Sequence, residues 1–263
     1  MKNMKIFLTI LAVVLVLGMT VVGCDNGDGD GGSSLGPQNV PEFAPNSPYK
    51  NYTPITKNEV QGVYDQAITE LKSELESQVS LLQELGLKVT MSSSSSNRAG
   101  RAAGSYNGDI TKYLNDNQIP IPKGVDISGK VNATYSFPDN EENPFPISVN
   151  GSATLEVTLS EAFEDFEDED IGVAAKIKGS VNVNNVKITD PDHISGSANF
   201  NYNCAVNVAM KDTQKYAKCI TDISASVNLS NKTGNVTVKI SIYGDGKDAL
   251  LSDTITFKLE PAK

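Results

Sequence analysis

Tryptophan is absent, histidine occurs once at His193, and only three cysteines are present in 263 residues. One histidine excludes a site built on paired imidazoles. Any Ser-His-Asp arrangement would rest on His193, which follows Asp190-Pro191-Asp192 and has no G-x-S-x-G motif to serve. Three cysteines exclude a four-thiolate zinc site or a densely bridged scaffold. Basic residues are also scarce, at 22 Lys and Arg against 32 Asp and Glu. That balance gives no electrostatic reason to track nucleic acid phosphates or an anionic membrane surface. Aromatics make up 6% of the chain, and no aromatic girdle marks a transmembrane barrel.

What is present begins with Lys2 and Lys5, then an apolar run from Ile6 to Val22 broken by Thr9, Gly18 and Thr20. Its length suits a secretory segment better than a spanning helix. Val21-Val22-Gly23-Cys24 closes it and resembles the lipobox of bacterial lipoproteins. The resemblance covers this segment only. It implies that residues 1–23 are a signal peptide and that Cys24 is acylated and becomes the first residue. The protein would then be lipid-anchored to a membrane of the bacterial cell envelope, on its periplasmic or surface side. Several acyl chains hold stably at about 0.8 kcal/mol per buried CH₂. Cleavage would remove two lysines and take the formal charge from −10 to −12.

Residues 24–55 are rich in Gly, Asp, Pro and Asn without periodicity and read as a flexible tether. A calcium loop starting at Asn26 fails at its twelfth position, which is Pro37. Thr56-Lys57-Asn58-Glu59 forms a capping-box pattern. Val60, Tyr64, Ala67, Ile68, Leu71, Leu75, Val79 and Leu82 follow at helical spacing, so residues 56–86 are expected to form one amphipathic helix. Residues 87–108 read as a Ser/Gly/Ala-rich linker, and residues 109–117 as a short helix stopped by Pro120 and Pro122.

From Val125 the apolar period falls to two, and 109–263 reads as an antiparallel β domain. Strands are expected at 147–159, 194–211, 235–243 and 252–260, with Gly196 a hinge in the longest. The similar segments ISGKVN at 127, IKGSVN at 177, ISGSAN at 194 and ISASVN at 223 share one inward pattern of Ile, Gly or Ala, and Val or Ala. The fold class is therefore mainly β: a curved meander sheet or partly closed barrel of about seven strands, with the long helix packed on it.

Cys204 and Cys219 both fall on apolar faces, and a hairpin turning near Lys211-Asp212 would set them opposite each other. In an oxidising compartment this predicts a disulfide. The run from Glu161 to Asp170 holds seven carboxylates in ten residues. Glu164, Asp165, Glu167, Asp168 and Asp170 are weak calcium candidates, although a solvated loop is the simpler expectation. Ser47-Pro48-Tyr49-Lys50, Ser226-Val227-Asn228 and Lys232-Thr233-Gly234 match short motifs of the β-lactamase and penicillin-binding set. Their context fails, because Ser47 lies in the leader and S-x-N recurs at 148, 180 and 197.

The sequence thus points to a lipid-tethered domain with no catalytic residues, no metal and no cofactor. Its expected role is non-enzymatic binding or scaffolding at the envelope, through a protein or apolar partner. The alternative is a carrier of a lipid or other apolar ligand held between the helix and a concave sheet.

Overall fold

The computed structural model describes residues 36–61, 69, 103–136, 145–160, 171–190 and 193–259. Its centre is one open sheet in which β2 (Ala103–Asp109), β3 (Val125–Ser136), β4 (Ile147–Leu159), β5 (Ile171–Asp190), β6 (His193–Met210), β7 (Lys215–Asn228), β8 (Thr233–Tyr243) and β9 (Leu251–Leu259) lie in sequence order. All neighbours in this meander are antiparallel. A two-residue strand, β1 (Thr53–Pro54), adds in parallel to β7. Residues 57–61 are helical (α1), and α2 (Ile110–Asp116) follows β2 directly.

The two-residue period builds two chemically distinct faces. Register carries apolar residues across the sheet in rows. One row runs Gly129, Leu155, Gly179, Tyr202, Ile223, Val238 and Ile255. Two rows further along the same face runs Leu159, Ala175, Val206, Cys219, Ile242 and Leu251. The four repeated segments place their Ile, Gly or Ala, and Val or Ala on this face. The opposite face carries rows such as Thr154, Ser180, Asn201, Ser224, Thr237 and Thr256. Burial of the apolar face peaks over β6–β8, where Cys204, Val208 and Val238 are 1% exposed. At about 25 cal/mol per Å² of apolar surface, this face is the main stabilising element of the domain.

The sheet is not a barrel. β2 and β9 are its two edges, and no pairing joins them. On β9 the Asp253 carboxylate takes the Thr254 N–H at 2.8 Å, occupying a donor that strand addition would need. Edge β2 is short and contains two glycines. It also departs from expectation, since residues 103–108 read as linker and Asp109 as the start of a helix. Their strand conformation comes from seven paired positions on β3 rather than from an apolar period of their own.

Long strands must bend to stay on one core, and the bend falls where glycine allows it. Gly196 has φ +108° and lies opposite a register shift between Asn184 and Lys187 of β5. A Cβ there would strike the backbone of Asn185 and Val186, so the hinge requires glycine twice over. α2 begins on the Asp109 side chain, which accepts the Lys112 N–H at 2.9 Å, and ends before Pro120.

Of the capping box at Thr56, the Glu59 half forms, while the Thr56 hydroxyl donates to Glu59 and the Glu59 N–H goes to the Thr56 carbonyl at 3.2 Å. Glu59 Oε2 accepts the Thr56 N–H at 2.9 Å and the Thr56 hydroxyl at 2.6 Å. Val60 then enters the apolar core at 2% exposure. Most of the expected 56–86 helix lies outside the described residues.

Candidate functional site

The feature that the leader's composition conceals is a strap. Residues 36–55, expected to be part of a free tether, pack across one end of the sheet. Val40 is 4% exposed and sits on the polar face against Ala205 and Ile220, with Tyr243 beside it. The next two residues are held by buried polar groups. Asn207 Nδ2 donates to the Pro41 carbonyl at 3.1 Å, and the Lys218 ammonium pairs with the Glu42 carboxylate. Asn207 is 1% exposed and Lys218 8%, so both heads are committed to the strap. Asn207 Oδ1 finds no partner among the described residues.

The groove exists because small residues interrupt the polar face. Gly172, Ala174, Ala205 and Ala209 share that face around Asn207 on β5 and β6. Ala205 and Ala209 are fully buried. A side chain at 172 would collide with the ring of Tyr49, so glycine is what admits the aromatic. Tyr49 is itself wedged between Phe43 and Tyr52, with ring centroids at 5.3 and 5.5 Å.

The strap then changes faces. β8 pairs with β7 only as far as Lys218, leaving the ladder positions of Lys215 and Tyr216 open. β1 fills them: the Thr53 N–H donates to the Gln214 carbonyl at 3.0 Å and the Ile55 N–H to the Tyr216 carbonyl at 2.9 Å. Ile55 emerges on the apolar face, 4% exposed and in the same core cluster as Val60 and Cys219. Glu59 pairs with Lys215 at 3.0 Å on that side. Its carboxyl is held down at about 2, first by the Thr56 hydroxyl, then by the Thr56 N–H, with Lys215 contributing.

Cys204 and Cys219 share the apolar face, but as free thiols. The turn between β6 and β7 leaves Met210 opposite Lys215, so Cys204 faces Thr221 and Cys219 faces Val206. The expected disulfide register is therefore wrong by two residues. Diagonal neighbours sit about 7–8 Å apart, beyond the roughly 4.4–6.8 Å Cα range of a bridge. Burial pushes each thiol up to about 12, with a Tyr202 hydrogen bond partly offsetting it at Cys204 and the nearby Cys204 adding to it at Cys219. Neither is a nucleophile at neutral pH.

Other sequence candidates do not assemble. His193 is exposed and its Nδ1 lies 2.7 Å from Asp190, with no serine hydroxyl bonded to its ring among the described residues. Ser47 caps a four-residue 3-10 turn by accepting the Tyr49 N–H at 3.1 Å, and that turn leads into β1, which pairs at Lys215. Ser226 and the Lys232-Thr233-Gly234 turn lie at the other end of β7, so the β-lactamase-like motifs are not brought together. Cys24 and the five calcium candidates Glu164, Asp165, Glu167, Asp168 and Asp170 lie outside the described residues. Among the described residues, no group of three or more His, Cys, Asp and Glu side chains is placed to hold a metal. A cavity of about 340 Å³ opens at the β3–β5 tip, lined by Tyr135, Ser148, Asn150, Asn185 and Lys187 among others.

No protein-family model, curated protein or solved structure matches this chain.

Proposed function

We propose that this protein is a membrane-anchored envelope lipoprotein with a non-enzymatic binding or scaffolding role. The observation that carries the anchor is Val21-Val22-Gly23-Cys24 at the end of an apolar run that begins after two lysines. The strap supports the same reading from the other end. Twelve residue steps separate Cys24 from Gly36, at most about 40 Å of chain, and the strap docks immediately afterwards. An anchored chain would thus hold its sheet at short range from the membrane through a fixed attachment point.

The scaffold role draws on the apolar face, which is packed to 1–2% exposure at Val208, Val238, Ile240 and Ile242. In this reading residues 56–86 continue the helix begun at 57–61, and their stripe from Val60 to Leu82 lies along that face. The second reading is a carrier of an apolar ligand between helix and sheet. It is favoured by one position: Gly179 lies in an apolar row, yet a Cβ there meets nothing within 4 Å among the described residues.

Native mass spectrometry of the mature chain carrying Cys24→Ser separates the two. The scaffold reading predicts the bare protein mass. A stoichiometric apolar adduct, released by organic extraction, would replace it with the carrier.

A further inference from the structure

We propose that the groove on the polar face is an acceptor for an extended apolar-Pro-acidic segment, filled in the monomer by the chain's own strap and in an assembly by the strap of a second copy. The proposal is independent of the anchor and rests on how the groove is built. A sheet face facing water has no reason to set alanines and a glycine among asparagines and lysines. Here Gly172, Ala174, Ala205 and Ala209 leave a depression wide enough for another backbone. Its contacts read a short sequence. Ala205 and Ile220 take the Val40 side chain, the Asn207 amide takes the Pro41 carbonyl, and Lys218 takes the Glu42 carboxylate. A carbonyl that precedes no regular ladder, a proline with no N–H to satisfy, and one charge are a complete recognition set for an extended peptide.

The same geometry makes the occupant exchangeable. The groove is rigid sheet, with 14 antiparallel pairs joining β6 to β7. The strap brings only two short 3-10 turns and a two-residue parallel strand of its own. Detaching it gives up the Val40, Tyr49 and Ile55 contacts but leaves the meander paired. Every copy carries both halves of the contact, so two chains that trade straps form a closed, two-fold pair with no new interface chemistry. The Glu42–Lys218 pair gives this exchange a polarity that can be inverted.

The test uses two full mature chains, each also carrying Cys24→Ser. In Glu42→Lys the strap is repelled by its own groove, and in Lys218→Glu the groove repels its own strap. Each alone is mismatched in cis. Mixed, the strap of either variant meets a complementary groove on the other. Analytical ultracentrifugation is expected to show monomers for each variant and a one-to-one dimer for the mixture, and the double variant alone should return to monomer. A fluorescent peptide of residues 36–55 should bind the Glu42→Lys chain about tenfold more tightly than wild type, because the competing strap is released, and should not bind Lys218→Glu. If Glu42→Lys fails to fold, Val40→Asp empties the groove from the strap side and leaves Lys218 in place for the same peptide titration. A mixture that stays monomeric, or a peptide that binds both charge variants alike, overturns the proposal.

Discussion

Asn207 donates a 3.1 Å hydrogen bond to the main-chain carbonyl of Pro41, 166 residues earlier in the chain. This bond ties the leader to the end of β6 and turns residues 36–55 into part of the fold. Asn207 is also 1% exposed, so its amide has no water to fall back on. Asn207→Ala is expected to lower stability by about 0.5–1.5 kcal/mol, the net range for losing one hydrogen bond whose acceptor, the Pro41 carbonyl, belongs to a half-buried residue. Hydrogen exchange should speed up in residues 36–55 and stay unchanged in β8 and β9. Equal protection of the strap in both proteins would contradict this assignment.

Two glycines on β5 should respond oppositely to a single methyl group. At Gly172 a Cβ collides with the Tyr49 ring, whereas at Gly179 it meets no described residue within 4 Å. Gly172→Ala should cost about 1–3 kcal/mol through displaced aromatic packing. Gly179→Ala should be neutral or stabilising by up to about 1 kcal/mol, because it restricts the unfolded chain. Thermal melts of the two variants side by side decide the matter. Similar midpoints would mean that Tyr49 does not depend on Gly172.

The buried thiols should be inert in the folded protein. Burial pushes Cys204 and Cys219 to about 12, leaving negligible thiolate at pH 8. With Cys24 replaced, iodoacetamide should label neither under native conditions and both after unfolding without reductant. Finding no label after unfolding would restore the disulfide.

Acid should weaken the helix start through one carboxylate. The Glu59 pKa is depressed from 4.5 to about 2 in the folded protein. Its contribution is therefore fully present above about pH 4.5 and is lost as pH falls toward 2. Asp222 works in the opposite sense, because burial raises its pKa and protonation relieves that cost. Urea midpoints measured from pH 7 to 2.5 should fall less steeply for Glu59→Gln than for wild type. Parallel curves would rule out Glu59 as a source of acid sensitivity.

Strands were legible where alternation was long. β4 runs Ile147–Leu159 as expected, and β6 begins and ends within one residue of the expected 194–211. The hinge at Gly196 was legible because glycine interrupts a continuous alternation. The hairpin register was not, since the β6–β7 turn occupies 211–214 and shifts the pairing by two. The strap was missed because Val40 and Ile55 are isolated apolar residues among Pro and Asn, with no period to mark them. A signal did exist. Ala205 and Ala209 fall on the otherwise polar face of β6, and alanines there mark the place where another segment approaches closely. β2 carried no equivalent mark, because a backbone ladder needs no particular side chain.

The central claim is the anchor, and the most direct test is the mass of the N-terminal peptide from protein isolated from bacterial membranes. Acylation predicts a mature chain beginning at Cys24 and carrying diacylglycerol, and the Cys24→Ser variant should lack the lipid and leave the membrane fraction. An unmodified Cys24, or a mature N-terminus elsewhere in a protein that still sediments with membranes, would contradict it.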